Sequence, residues 1–84
     1  MKRITKAILS NKVILINRQT GSPSEIYTDG YNVGNYHLYW ACGGCRFQRV
    51  TSESGGFNTI INGFHSKPEM YRLLCAFVAG IEAK

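Results

Sequence analysis

Apolar and polar residues alternate with a period of two through the middle of the chain and switch to a helical period near its C-terminal end. From Tyr36 to Cys42 and again from Cys45 to Thr51, aromatic and β-branched residues alternate with polar ones on either side of Gly43 and Gly44. Such alternation marks half-buried strands, and the glycine pair predicts a two-residue hairpin, because a type I′ turn needs positive φ at both central positions. With Gly43 and Gly44 as the bend, Cys42 faces Cys45, Trp40 faces Phe47, Tyr39 faces Gln48 and Leu38 faces Arg49. One side of the ribbon then carries Tyr36, Leu38, Trp40, Cys42, Cys45 and Phe47. This is a core-facing set, in which the pair of Trp40 and Phe47 adds up to ~1 kcal/mol beyond burial. The other side carries His37, Tyr39, Ala41, Arg46, Gln48 and Val50.

Upstream, the β-branched run Lys12 to Arg18 predicts a strand. The turn-forming residues Gln19 to Pro23 lead it into a second strand, Glu25 to Thr28, closed by Asp29 and Gly30. Arg3 to Leu9 reads as a further strand beside Lys12 to Arg18, with a single helical turn as the alternative. Downstream, Ser52 to Gly56 forms a polar loop, Phe57 to Ile61 a last strand, and Asn62 with Gly63 a turn. A helix follows. Ser66 and Glu69 form a capping-box pattern, Pro68 occupies the first turn, and Met70, Leu73, Leu74, Phe77 and Ile81 recur at helical spacing. Tyr71, Cys75 and Val78 widen the apolar arc past half the circumference, as expected of a helix covered on two sides. Its back carries Arg72, Ala76, Ala79 and Gly80, where small residues let a second backbone approach, so a homodimer or a partner protein is expected there. The fold class expected is α+β: an antiparallel sheet of four to five strands with one C-terminal helix packed on one face.

Composition narrows the classes. With 84 residues, 44% hydrophobic and 18% charged, the chain supports one globular domain, residues 1–84, and nothing larger. Ser10, Asn11 and Lys12 interrupt the first apolar run before it reaches the length of a signal-peptide core. No apolar run approaches the ~20 residues of a membrane span, and three cysteines fit free thiols in a reducing compartment. A cytoplasmic location is expected. The net charge of +5 is unevenly spread, since Lys2, Arg3, Lys6, Lys12 and Arg18 all precede the first acidic residue, Glu25. A positive field of this kind draws nucleic acid, anionic lipid or an acidic protein surface.

Candidate chemistry is sparse. Cys42 and Cys45, completed by His65 and Cys75, suggest a zinc knuckle. Cys75 would lie about 12 Å along the helix axis from the first turn, however, and strand parity turns His37 away from Cys42, so only Cys42, Cys45 and His65 remain as ligands. A redox role would place the first cysteine at a helix N-terminus, whereas Arg46 to Val50 alternates like a strand. Asp29 is the sole aspartate, and no nucleophile elbow, P-loop, metalloprotease or dinucleotide motif occurs. No enzyme activity, catalytic residue or cofactor is therefore expected.

Binding is the function expected. In size and economy the chain is similar in kind to small accessory proteins of phages and mobile elements, including anti-defence and anti-CRISPR types. That similarity implies an inhibitor or adaptor that occludes a surface of a host macromolecular complex. The alternative is nucleic-acid binding through Lys2, Arg3 and Lys6 together with His37, Tyr39, Arg46 and Gln48, where rings beside cations stack bases and neutralise phosphate. A small zinc-binding module is a further alternative.

Overall fold

Thr5 opens the first element by accepting a hydrogen bond from the Ile8 amide at 3.3 Å, and Gly21, at φ 68°, ends it in the left-handed conformation. Between them Lys6–Thr20 is an α-helix, α1. The Gly21 amide returns to the Arg18 carbonyl and the Ser22 amide to the Asn17 carbonyl, a Schellman pair that satisfies the helix end. The computed structural model describes residues 3–83. The two strands expected within Arg3 to Arg18 are thus one helix. The β-branched run Val13 to Ile16 carries strand propensity, but Leu9, Val13, Ile16 and Asn17 recur at i, i+4, i+7 and i+8, and burying that stripe outweighs the propensity. The hairpin expected through Glu25 to Thr28 is instead part of an irregular connection, with an isolated bridge between Tyr27 and Tyr31.

Asn17 is almost fully buried in the middle of this apolar stripe. Its side-chain amide donates to the Tyr36 carbonyl at 3.0 Å, while its carbonyl oxygen accepts from the Tyr36 amide at 2.8 Å. One side chain thereby completes both main-chain groups of the residue that begins β1, Tyr36–Ala41. β1 pairs antiparallel with β2, Gly44–Val50, which pairs antiparallel with β3, Phe57–His65. The sheet therefore has three strands in the order β1-β2-β3 where four to five were expected.

The hairpin bends at Cys42 and Gly43, at φ 53° and 73°, one residue earlier than the glycine pair predicts. Gly44 is withheld from the turn because a Cβ there would lie 2.6 Å from the His65 carbonyl oxygen; β3 passes too close for any side chain. The register moves by two, so Leu38 faces Phe47, Trp40 faces Cys45, Tyr39 faces Arg46 and His37 faces Gln48. A shift of two preserves every strand residue's face. The pair of Trp40 and Phe47 is not formed; Phe47 stacks on Tyr36 with ring centroids 5.5 Å apart. Cys42 leaves the core face for the exposed turn. β3 runs past the expected stop at Ile61, taking four steps from Ile61 to His65 against two in β2 from Phe47 to Cys45, and Gly63 absorbs the irregularity at φ 85°.

The second helix, α2, is Lys67–Glu82. Leu9, Val13 and Ile16 from α1 meet Met70, Leu74 and Val78 from α2 over Tyr36, Cys45 and Phe47, so both helices share one face of the sheet. The wide apolar arc of α2 has its second cover within the chain, in α1. Arg72, Ala76, Ala79 and Gly80 stay exposed on its back. Among the described residues no helix is long and apolar enough to cross a membrane.

Asn17→Ala strands a buried donor and a buried acceptor on Tyr36, and is expected to lower unfolding free energy by about 2–4 kcal/mol in urea titration. Loss below about 0.5 kcal/mol would refute the amide clamp. Cys42→Asn, which suits a left-handed turn position better, is expected to raise stability by about 0.5–1 kcal/mol in the same measurement.

Candidate functional site

Three consequences of the fold converge at the end of the sheet where β1 turns into β2. The chain entering α1 brings Arg3, Ile4 and Lys6; the hairpin brings Trp40, Ala41 and its glycines; and the start of α2 brings Ser66, Lys67 and Pro68. These residues line an open cavity of about 720 Å³. Half-buried Ile4 and Trp40 form its apolar floor, and around them stand the exposed cations Arg3 and Lys6, half-buried Lys67 and exposed Pro68. The Lys6 ammonium lies 4.7 Å from the centre of the half-buried Trp40 ring, a cation–π contact that ties rim to floor.

Among the described residues no carboxylate lines this cavity. Of the five acidic residues, Glu25, Asp29 and Glu53 belong to the connections at the opposite end of the sheet, and Glu82, at the far end of α2, accepts from Gln19 at 3.3 Å. Of the N-terminal cations, Arg3 and Lys6 reach this end, whereas Lys12 lies over the Tyr71 ring and Arg18 sits in the last turn of α1.

Glu69 is the remaining acid, and it is engaged. The expected capping box does not form, since the Ser66 side chain makes no capping bond. The Glu69 carboxylate instead accepts a hydrogen bond from His65 Nδ1, while His65 Nε2 donates to the Asn62 carbonyl at 2.7 Å. Both partners are acceptors, so the imidazolium with two N–H groups satisfies both. The bond to Glu69, then that to the Asn62 carbonyl, raises the His65 pKa.

The sheet face away from the helices carries the other expected residues. His37 Nε2 donates to Gln48 Oε1 at 3.1 Å, and the His37 ring meets Phe57 edge-on at 5.2 Å. Burial lowers the His37 pKa, opposed by the bond to Gln48. The Arg46 guanidinium lies 4.2 Å over the Phe64 ring, and Tyr39, 52% exposed, sits beside Phe64. His37, Tyr39, Arg46 and Gln48 therefore share a face as strand parity predicts, but Arg3 and Lys6 lie round the turn from them. Lys2 lies outside the described residues. Lys67 and Trp40 escaped sequence reasoning as site residues. Lys67 gains its place only through the β3 to α2 junction, and Trp40 has the strand parity of a core residue.

The zinc grouping is not assembled. Cys42 is exposed on the turn, whereas Cys45 is buried, its thiol directed to the His65 main-chain carbonyl at 3.7 Å and its pKa raised by burial. Among the described residues no three His, Cys, Asp or Glu side chains are placed to hold a metal ion. No protein-family model matches the chain, and neither curated proteins nor solved structures yield a match.

The two histidines are expected to move in opposite directions in an NMR titration, His65 above and His37 below the ordinary value of about 6.5, with Glu69→Gln bringing His65 down. A group raised on folding stabilises fully below its unfolded pKa and loses that effect as pH rises through the folded one. The contribution of His65 should accordingly fade as pH rises above ~6.5, while His37 acts in the opposite sense, so the gap in thermal melts between wild type and Glu69→Gln is expected to narrow with rising pH.

Proposed function

We propose that this protein is a non-catalytic nucleic-acid-binding protein that holds the phosphate backbone at the hairpin end of its sheet. The observation that carries the reading is the convergence of Arg3, Lys6 and Lys67 on one concave, carboxylate-free surface while most acids lie at the far end. Like charges gathered from the starts of two helices repel one another in the free protein, and a polyanion relieves that repulsion while releasing its condensed counterions. Lysine and arginine on flexible stems adapt to phosphates without reading sequence, so binding is general for sequence and steep in salt.

A second reading, an inhibitor or adaptor docking on another protein, draws support from the uncovered outer face, where Tyr39 and Phe57 are 52% and 43% exposed. Such a surface would bind with little dependence on salt.

Titration of a fluorescent oligonucleotide at several salt concentrations separates the two. With three phosphate contacts to a single strand, log K is expected to fall against log salt with a slope of about −2, and Lys6→Ala and Lys67→Ala each to flatten it by about 0.7. No oligonucleotide binding at low salt, together with capture of a protein partner that survives nuclease treatment, would favour the second reading.

A further inference from the structure

The rim of the hairpin-end cavity accounts for phosphate, but its floor does not. A backbone phosphate is hydrated and charged, and gains nothing from Ile4 and Trp40 lining the same cavity as the three cations. A volume of about 720 Å³ with an apolar floor and a few charged groups at the edge has the make-up of a small-molecule pocket, not of a flat electrostatic patch. The ligand that matches both parts joins a flat apolar ring to a phosphate within a few bonds.

From this we infer that the cavity seats one unpaired nucleotide of a single-stranded nucleic acid, its base on the floor beside Trp40 and its flanking phosphates on Arg3, Lys6 and Lys67. The inference rests on the nucleic-acid reading above. In a duplex the faces of the bases are covered by their neighbours and only edges are presented, so a seat for a base face selects against paired strands. Single strands expose those faces, and aromatic side chains receive them without sequence preference.

Lys6 links the two halves of the site. Its ammonium lies over the Trp40 ring in the free protein. A phosphate arriving at the rim draws that ammonium outward into a charge-assisted hydrogen bond, stronger than its contact with the ring. The ring face that Lys6 vacates becomes available to the base. Phosphate capture and base stacking are thereby coupled through one side chain.

Trp40 is the only tryptophan in the chain, so intrinsic fluorescence reports this cavity directly. The test titrates the wild-type protein at low salt with a single-stranded DNA oligomer of about 12 nucleotides, the same oligomer paired with its complement, and inorganic phosphate. Fluorescence anisotropy of labelled oligomers follows in parallel. The expected result is saturable quenching by the single strand, at least about tenfold weaker affinity for the duplex, no quenching by inorganic phosphate, and about tenfold weaker single-strand binding in Trp40→Leu. The wild-type quenching stands without the variant should Trp40→Leu fail to fold. Equal affinity for both forms, or single-strand binding that leaves Trp40 emission unmoved, overturns the base seat while the phosphate reading survives. Failure of both forms to bind overturns both readings.

Discussion

The side-chain amide of Asn17 presents to Tyr36 what a neighbouring strand would, a donor at 3.0 Å and an acceptor at 2.8 Å, and the placement of α1 along β1 depends on it. Burying an amide is unfavourable unless every group finds a partner. Only one axial position of the helix meets that condition, since a slip of one residue would bury unpaired polar groups at both Asn17 and Tyr36. The apolar stripe of Leu9, Val13 and Ile16 supplies most of the attraction between helix and sheet but is tolerant of sliding. The amide supplies the registration. Fixing α1 at Tyr36 also fixes its other end, and Lys6 arrives beside Trp40.

A second constraint operates at the opposite end of β1. Gly44 leaves room for the main chain of His65, and the closeness of β2 and β3 there determines where α2 begins. The His65 ring, held between Glu69 and the Asn62 carbonyl, ties the end of β3 to the first turn of α2. Lys67 and Pro68 are thus delivered to the edge of the cavity by backbone packing. The site is assembled from three separate pieces of chain, each positioned by a contact outside it.

Much of this was legible from residue order, and what was not has identifiable causes. The central ribbon and the sorting of its residues between two faces survive a turn displaced by one residue, because a register change of two leaves parity intact. Val13 to Ile16 misleads through its β-branched side chains, although Thr5 and Gly21 stand where helix caps belong and Asn17 continues the spacing of Leu9 and Val13. The turn position was obscured because glycine has two uses here: Gly43 serves its φ, whereas Gly44 serves the closeness of a neighbouring strand. Ser66 and Glu69 have capping-box spacing, but His65 offers the carboxylate a charged donor that an amide cannot match. The basic cluster was visible as charge in Arg3 and Lys6. Its third cation and its apolar floor exist only after the chain has folded.

The central claim is that the hairpin end, and not the outer sheet face, is where this protein meets its ligand. Backbone amide chemical-shift mapping with a single-stranded oligonucleotide tests it most directly. Perturbations centred on residues 3–6, 41–44 and 66–69 are the predicted result. Perturbations centred on Tyr39, Arg46, Gln48 and Phe64, with the α1 and α2 starts unmoved, would contradict it.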